Sequence, residues 1–232
     1  MGPLQIPPPE IIAAIGVVIF FGIGLHEYAH CKFADLAGDP TPRYYGRVTL
    51  NLFKHFEPMG TIMMVLSSLT GVGIGWGKSA PLNDSKMRNP RWDAFAATLA
   101  GPVSNLVQAI VYAVILRVLL ANGAISLTQI LSALNREPST FVAALAAHGV
   151  LINLSLMLFN LIPLGPLDGH WLVGYLMPEP QRLRWFQFSR TTGSMILIGV
   201  ILLSQMSNAN ILGRVIGPPL FWLFDRLTGL PF

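Results

Sequence analysis

The pentapeptide at residues 26–30 has the pattern HExxH, which places chemically active side chains at a defined spacing. On a helix, His26 and His30 lie on one face, so both imidazoles can reach the same Zn²⁺ ion. Glu27 can reach a water bound to that ion and act as its general base. The spacing therefore predicts a zinc-dependent hydrolytic site, with His26 and His30 as metal ligands and Glu27 as the catalytic acid/base.

The motif ends an apolar stretch, residues 11–25, that is typical of a membrane span. Insertion scales give a charged side chain at the centre of a membrane helix a cost of about 2.5–3.5 kcal/mol. Three titratable groups within about one turn therefore need a stabilising partner or a function. A second chemical signal elsewhere in the chain is required to decide between these two explanations.

The composition indicates a polytopic membrane protein. Of the 232 residues, 53% are hydrophobic and 11% are charged, whereas soluble domains average about 25% charged residues. The net charge of +4 is not accompanied by a nucleic-acid-binding motif, so we expect the lipid bilayer and no nucleic acid as a partner. The single cysteine, Cys31, excludes an internal disulfide, and its apolar surroundings favour a packing role over metal ligation.

Four apolar runs are compatible with the roughly 20 residues that cross a bilayer, and the last of them reaches residue 206 or a little beyond. They lie at residues 11–34, 94–121, 140–162 and 193–206. A fifth run, residues 59–76, is rich in glycine, serine and threonine, and it either spans or re-enters the membrane. Basic loops on both of its sides favour re-entry, because spanning would put them on opposite faces. We therefore predict an all-α polytopic fold with about four to six transmembrane helices.

Lysine and arginine residues also indicate the orientation of the chain. Neither residue type precedes the first apolar run, so we expect this run to be a retained span and not a signal peptide. The basic loops predict an outside N-terminus and a multi-pass protein of the cytoplasmic membrane, with its active site towards the cytoplasmic side. Residues 43–52 predict a short β-hairpin near the active site, and residues 217–230 predict an interfacial helix.

The second chemical signal is Asp168, one of only two acidic residues embedded in apolar sequence, the other being in HExxH. It follows the span at 140–162, at the end expected to share the depth of His30. Pro163 and Pro166 break the helix there, which frees backbone groups that are tolerated at this depth only in a cavity or a protein interior. Two histidines and this carboxylate, with water in the fourth position, match a catalytic zinc site. Alternatively, Asp168 only caps a turn.

Two signatures in the sequence resemble those of the site-2 protease family (M50) of intramembrane metalloproteases. One is HExxH at residues 26–30, and the other is NxxPxxPLDG at residues 160–169. AGPxxN at 100–105 and GWGKSAP at 75–81 resemble further segments of the family. The resemblance covers about residues 20–169 and is vague afterwards.

This resemblance implies one Zn²⁺ ion per chain, bound by His26, His30 and Asp168, with Glu27 as the acid/base. It further implies that Asn160 holds the substrate strand or helps to stabilise the oxyanion. The implied substrates are single-span membrane proteins, cleaved within or near their transmembrane segments in regulated intramembrane proteolysis. We expect the small form of the family, because no outside loop is long enough for a PDZ domain and no cytoplasmic extension resembles a CBS domain.

We predict a single membrane-embedded metalloprotease domain over residues 1–232, with the catalytic core at about 11–178 and a C-terminal span and interfacial helix at about 179–232. A membrane metal-binding protein without catalysis, such as a divalent-ion transporter, is the alternative, and a scaffold that binds substrates without cutting them is a third hypothesis. His170 either supports the ligands or competes with them, and His148 is expected to serve helix packing. The oligomeric state stays open.

Overall fold

The computed structural model describes residues 6–60, 62, 77–206 and 211–230, and these ranges are mostly helical. The α-helices are α1 (Pro9–Leu36), α2 (Thr41–Tyr44), α3 (Trp92–Ala121), α4 (Leu127–Leu134), α5 (Phe141–Asn160), α6 (Asp168–Leu176), α7 (Gln181–Phe188), α8 (Ser194–Met206) and α9 (Ile211–Thr228). Short 3-10 turns lie at Leu52–His55 and Asp84–Lys86, and a π turn lies at Ser189–Gly193. The predicted helical fold is confirmed.

Within the described residues, four helical stretches are long and apolar enough to cross a membrane, namely α1, α3, α5 and Gln181–Ser204. The first three correspond to predicted spans. The fourth starts at Gln181 and not at residue 193, because α7, the π turn and α8 follow one another without a break. Arg182, Arg184 and Arg190, which come just before residue 193, therefore lie within this helical stretch.

Helices α1, α3 and α5 pack together and form the frame of the site. Ala109 and Ala113 of α3 meet Val150 and Leu154 of α5 in one buried cluster. Small side chains at such a contact let two helix backbones approach closely, which is how helices associate in lipid. Helix α9 covers this cluster with Phe224, which is fully buried. The helix predicted at 217–230 is thus present, although it begins at Ile211.

The β-hairpin predicted over residues 43–52 is not found, and the described part of the chain contains no strand. Pro42 lies in the first turn of α2, where its fixed φ favours a helix. The chain then turns at Gly46, whose φ of +64° lies in the left-handed region that favours glycine. These two residues override the β-branched and aromatic content of the segment. The fifth apolar run, residues 59–76, lies almost entirely outside the described residues, so its re-entrant or spanning nature stays a prediction.

Candidate metal centre

His26 and His30 lie in the C-terminal half of α1, and both imidazoles are buried. Their Nε2 atoms are 3.0 Å apart. Asp168 Oδ2 lies 3.1 Å from His26 Nε2 and 3.3 Å from His30 Nε2. Within the described residues, these three side chains form the one group of histidine, cysteine and acidic residues arranged to hold a metal ion. The structure therefore brings together the three residues that the sequence predicts as ligands.

The hydrogen bonds of the two histidines fix the position of their protons. His26 Nδ1 lies 2.7 Å from Asn105 Oδ1, and His30 Nδ1 lies 2.8 Å from the carbonyl oxygen of Ala97. A carbonyl oxygen only accepts, so His30 Nδ1 carries the proton. The Asn105 amide nitrogen donates to the carbonyl of Gly22, so its oxygen must be the atom that faces His26. In the neutral histidines, both Nε2 atoms therefore present lone pairs.

Three electron-rich atoms thus converge, namely two imidazole nitrogens and a carboxylate oxygen. Asp168 Oδ2 is buried and has no hydrogen-bond donor. Burying such an oxygen against two further lone pairs is unfavourable unless a cation lies between them. Two imidazoles and a carboxylate with an open fourth position are a ligand set of catalytic zinc. The residues present therefore fit a Zn²⁺ ion.

Asp168 is the first residue of α6, and a short proline-containing link connects it to the end of α5. A Cβ atom on Gly169 would lie 2.4 Å from the carbonyl oxygens of both Leu161 and Ile162. Only glycine therefore lets the start of α6 approach the end of α5 this closely. This contact holds Asp168 against the two histidines.

Helix α3 passes directly beside the imidazoles at Gly101. A Cβ atom there would lie 2.3 Å from His30 Nε2 and 2.8 Å from His26 Cε1. The next residue, Pro102, has no N–H to donate to the carbonyl of Thr98, which interrupts the hydrogen-bond ladder of α3 at this level. The pair at 101–102 explains why this part of the AGPxxN segment contacts the HExxH motif.

A cavity of about 560 Å³ opens beside the three ligand candidates. Glu27 lines this cavity, and its Oε2 atom is buried without a hydrogen-bond partner. Gly77 packs against the same side chain, because a Cβ atom there would lie 3.2 Å from Glu27 Oε1. Glu27 thus has an unpaired carboxylate oxygen beside the candidate metal site, and its role as acid/base stays a prediction.

Asn160 is the last residue of α5 and lines the same cavity. Its Nδ2 atom donates to the carbonyl of Leu156, 3.0 Å away and one turn earlier. That bond uses one of the two amide hydrogens, so the other can serve a ligand in the cavity. The structure therefore places Asn160 in the same chamber as Glu27.

Aromatic side chains from α6 and α7 form another wall of the cavity. The ring of Phe186 lies 4.9 Å from that of Trp171 and 5.8 Å from that of Tyr175, measured between centroids. The guanidinium of Arg190 lies 5.4 Å from the Trp171 ring centroid, in cation–π range. Burial raises the pKa of the Tyr175 phenol, and the nearby Asp84 carboxylate raises it further, so Tyr175 stays protonated. An apolar wall of this kind suits apolar side chains.

The remaining candidates from the sequence lie outside the metal group. His170 Nδ1 faces the carbonyl of Leu167, and its ring packs among the aromatic residues of α6 and α7. His148 Nδ1 faces the carbonyl of Ala144 on its own helix and lies outside the metal group, so its packing role stays a prediction. Cys31 is buried and also takes no part.

Arg47 and His55 hold the segment that carries Gly77 beside Glu27. Arg47 Nη2 donates to the carbonyl of Lys78, and the Lys78 amide donates to the carbonyl of His55. His55 Nε2 lies 3.0 Å from the Thr49 carbonyl, while its Nδ1 accepts from Arg47 Nε at 3.4 Å. Burial lowers the pKa of His55, which keeps the ring neutral and able to accept.

Sequence reasoning assigned no role to Asn105, Asn153, Arg47 or His55. Asn105 Nδ2 donates to Asn153 Oδ1, so the two amides join α3 to α5 inside the bundle. For Asn105 and Asn153, the sequence signal that could have predicted this contact was a polar side chain within a long apolar helix, because a buried amide needs a partner. Arg47 and His55 offered no comparable signal, because they lie in a loop of mixed composition.

A helical bundle of membrane-spanning length with HExxH beside a buried carboxylate defines a membrane metallohydrolase. Residues 14–204 match the family described as Peptidase family M50. The chain is similar to "Putative zinc metalloprotease YwhC" of Bacillus subtilis strain 168, with 32% identity over 180 residues, or 78% of this chain and 76% of the relative.

It is also similar to "Putative zinc metalloprotease Rip2" of Mycolicibacterium smegmatis, with 27% identity over 202 residues, covering 87% of this chain and 69% of the relative. No solved structure matches the chain. The chain belongs to peptidase family M50 and is a membrane zinc metalloprotease. The resemblance drawn from its motifs is thereby confirmed.

Proposed function

We propose that this metalloprotease hydrolyses peptide bonds within or near the transmembrane segments of single-span membrane proteins. One observation carries the proposal: the unpaired Glu27 carboxylate shares a cavity with the His26, His30 and Asp168 cluster. The helices that build this cavity are long enough to cross a membrane. A substrate residing in the bilayer therefore suits the position of the site.

Each residue has a defined role in this proposal. His26, His30 and Asp168 would hold one Zn²⁺ ion, which when bound would supply Lewis-acid activation of water and of the scissile carbonyl. Glu27 accepts a proton from the attacking water on its buried carboxylate and then delivers it to the leaving amine. Its lack of a competing hydrogen-bond donor leaves Oε2 free for that proton.

Substrate unwinding is the second requirement. A helical substrate hides its scissile carbonyl in an i to i+4 hydrogen bond, so cleavage requires a local opening of that helix. The free amide hydrogen of Asn160 can bind the exposed substrate backbone or the developing oxyanion. The aromatic wall at Trp171 and Phe186 can take up apolar side chains of the opened segment.

We further propose the cytoplasmic membrane as the location, with the metal centre towards the cytoplasmic side. Support comes from the basic residues close to the C-terminal end of α1 and in the segment that follows. These residues are Lys32, Arg43, Arg47, Lys54 and Lys78. Such an excess of lysine and arginine is typical of cytoplasmic loops.

The test is cleavage of single-span model substrates by the purified full-length protein in detergent. Glu27→Gln should abolish cleavage while the bound zinc per chain stays as in the wild type. Glu10→Gln is the matched control, because it makes the same change at the opposite end of α1 and should leave cleavage intact. Cleavage by Glu27→Gln at the wild-type rate would contradict the role of Glu27 as acid/base. Zinc binding with no cleavage of any substrate by the wild type would contradict the protease proposal.

A further inference from the structure

Arg47 is a buried cation without an ion-pair partner. Only 4% of its surface is exposed, yet no ion pair within 4.0 Å includes it among the described residues. All 11 acidic side chains of the chain lie within the described ranges. Its hydrogen bonds go to the Lys78 carbonyl and to the neutral His55 ring, which bring no negative charge. The charge of Arg47 acts on the buried Glu27 carboxylate through space, but no carboxylate lies within ion-pair distance of the guanidinium, so it can still gain a contacting anion.

A small pocket of about 170 Å³ lies at Arg47 and has room for a phosphate group. Lys78 and Arg47 line it together with Tyr45, Ser79 and Pro81. Lys54 does not line the pocket, but its Nζ atom lies 3.4 Å from the position of a Cβ on Gly46, the residue between the lining residues Tyr45 and Arg47, and it thus brings a third cation close to the pocket. The ion pairs of the described residues include neither lysine. The lining therefore combines positive charge with hydroxyl groups, the donors that bind phosphate.

The segment 44–53, which contributes Tyr45 and Arg47 to the pocket, carries strongly exposed apolar and aromatic side chains. Tyr44, Tyr45, Leu50 and Phe53 show exposed fractions of 86%, 63%, 66% and 75%. Aromatic side chains interleaved with lysine and arginine are the pattern of a membrane interface, where rings enter the headgroup layer and cations meet lipid phosphates. A soluble anion would require the cations but not the exposed apolar side chains of this segment.

We propose that the pocket at Arg47, Lys54 and Lys78 binds the headgroup phosphate of an anionic phospholipid. The phosphate oxygens accept from the Arg47 guanidinium and the two ammonium groups, while the acyl chains lie along the exposed rings. This site is separate from the metal centre and goes beyond the proposed proteolysis. It adjoins the segment 77–82, of which Ser79 lines both the pocket and the active-site cavity.

The experiment measures binding of phosphatidylglycerol to the full-length protein in an uncharged detergent, with bound lipids counted by native mass spectrometry. We expect one lipid per chain bound more tightly than phosphatidylcholine, whose choline group meets the three cations unfavourably. Lys78→Gln and Lys54→Gln should each weaken phosphatidylglycerol binding about fivefold, as expected for one lysine at a lipid surface. Both side chains are exposed, so neither change threatens folding.

Lys86→Gln is the matched control. Lys86 is an exposed lysine that, like Lys54 and Lys78, precedes α3 in the sequence, but it does not line the pocket. It should bind phosphatidylglycerol like the wild type. Equal weakening by Lys78→Gln and Lys86→Gln would overturn the proposal, since it would show only general charge attraction. Competitive displacement of the lipid by a millimolar excess of inorganic phosphate would assign the pocket to a soluble anion and overturn the lipid assignment. Equal affinity for both lipids would also overturn it.

Discussion

Asn105 on α3 accepts a hydrogen bond from His26 on α1, with 2.7 Å between Oδ1 and Nδ1. The same amide donates to the carbonyl of Gly22 and to Asn153 Oδ1, each at 3.0 Å. Asn153 in turn donates to the carbonyl of Gly149 on its own helix. The orientation of the His26 ring is thus set by a chain of amides that crosses three helices. Partners of this kind hold metal-binding histidines in the correct tautomer.

Replacing Asn105 by leucine should weaken zinc binding about 10–100-fold, which is the usual cost of losing such a partner. The change removes the acceptor for His26 Nδ1 and leaves the Gly22 carbonyl without its side-chain donor. Competition with a chelator of known affinity measures the effect. Asn105→Asp keeps an acceptor for His26 and should retain more affinity.

Asn122→Leu makes the same change at an exposed position just after the end of α3 and serves as the control. It should bind zinc like the wild type. Equal zinc affinities for Asn105→Leu and the wild type would show that the amide chain does not position His26.

Gly101→Ala should remove zinc binding, because the new Cβ would lie 2.3 Å from His30 Nε2. The overpacking should also destabilise the protein, by about 1–3 kcal/mol. Gly16→Ala on α1 is the control, since nothing lies within 4 Å of its new Cβ. The measurement is zinc content together with the unfolding temperature in detergent. Normal zinc content in Gly101→Ala would contradict the close approach of α3 to the imidazoles.

The two intramembrane histidines His30 and His148 should respond differently to the same substitution. His30→Leu removes a nitrogen of the metal group and should abolish zinc binding. His148→Leu removes only a bond to the Ala144 carbonyl, so zinc content and cleavage should stay near wild-type values. Loss of zinc in His148→Leu, in protein that elutes as a monodisperse species, would refute the packing role.

Acidification should destabilise the loop that holds Lys78 through protonation of His55. Burial lowers the pKa of His55 below its usual 6.5. At a pH between the lowered pKa of folded His55 and its usual 6.5, the unfolded chain binds a proton that the folded chain does not. The stability that neutral His55 contributes is therefore present above the usual pKa and falls as the pH drops below it. Between about pH 7.5 and about pH 5.5, the unfolding temperature of His55→Gln should therefore fall less than that of the wild type. An equal loss in both proteins would contradict the prediction.

Much of the site follows from local rules that the sequence displays. The i to i+4 spacing of His26 and His30 places both on one face of any helix, so their proximity needed no tertiary information. Asp168 was identifiable because an acidic residue in apolar sequence needs a partner. Three of the spans were identifiable because their apolar runs are long.

Other features depend on tertiary contacts that no local pattern displays. Asn105 and Asn153 are separated by 48 residues in the chain and meet only through helix packing. Arg47 lies in a segment whose β-branched and aromatic residues suggested a hairpin, but Pro42 and Gly46 direct the backbone into a helix and a turn. Helix α4 does have a local sequence signal, the capping box of Ser126 and Gln129, but a prediction based on apolar runs does not include it.

The contact of Asp168 with His26 joins the first span to a residue that follows the third span. During synthesis, α1 leaves the ribosome long before Asp168 is made, so the histidines enter the membrane without their carboxylate partner. A complete three-donor group exists only after α5 has been inserted and α6 has packed beside it. The three-donor group therefore cannot form until synthesis has passed Asp168 and α6 has packed against the earlier helices, so metal binding is coupled to a late step of folding.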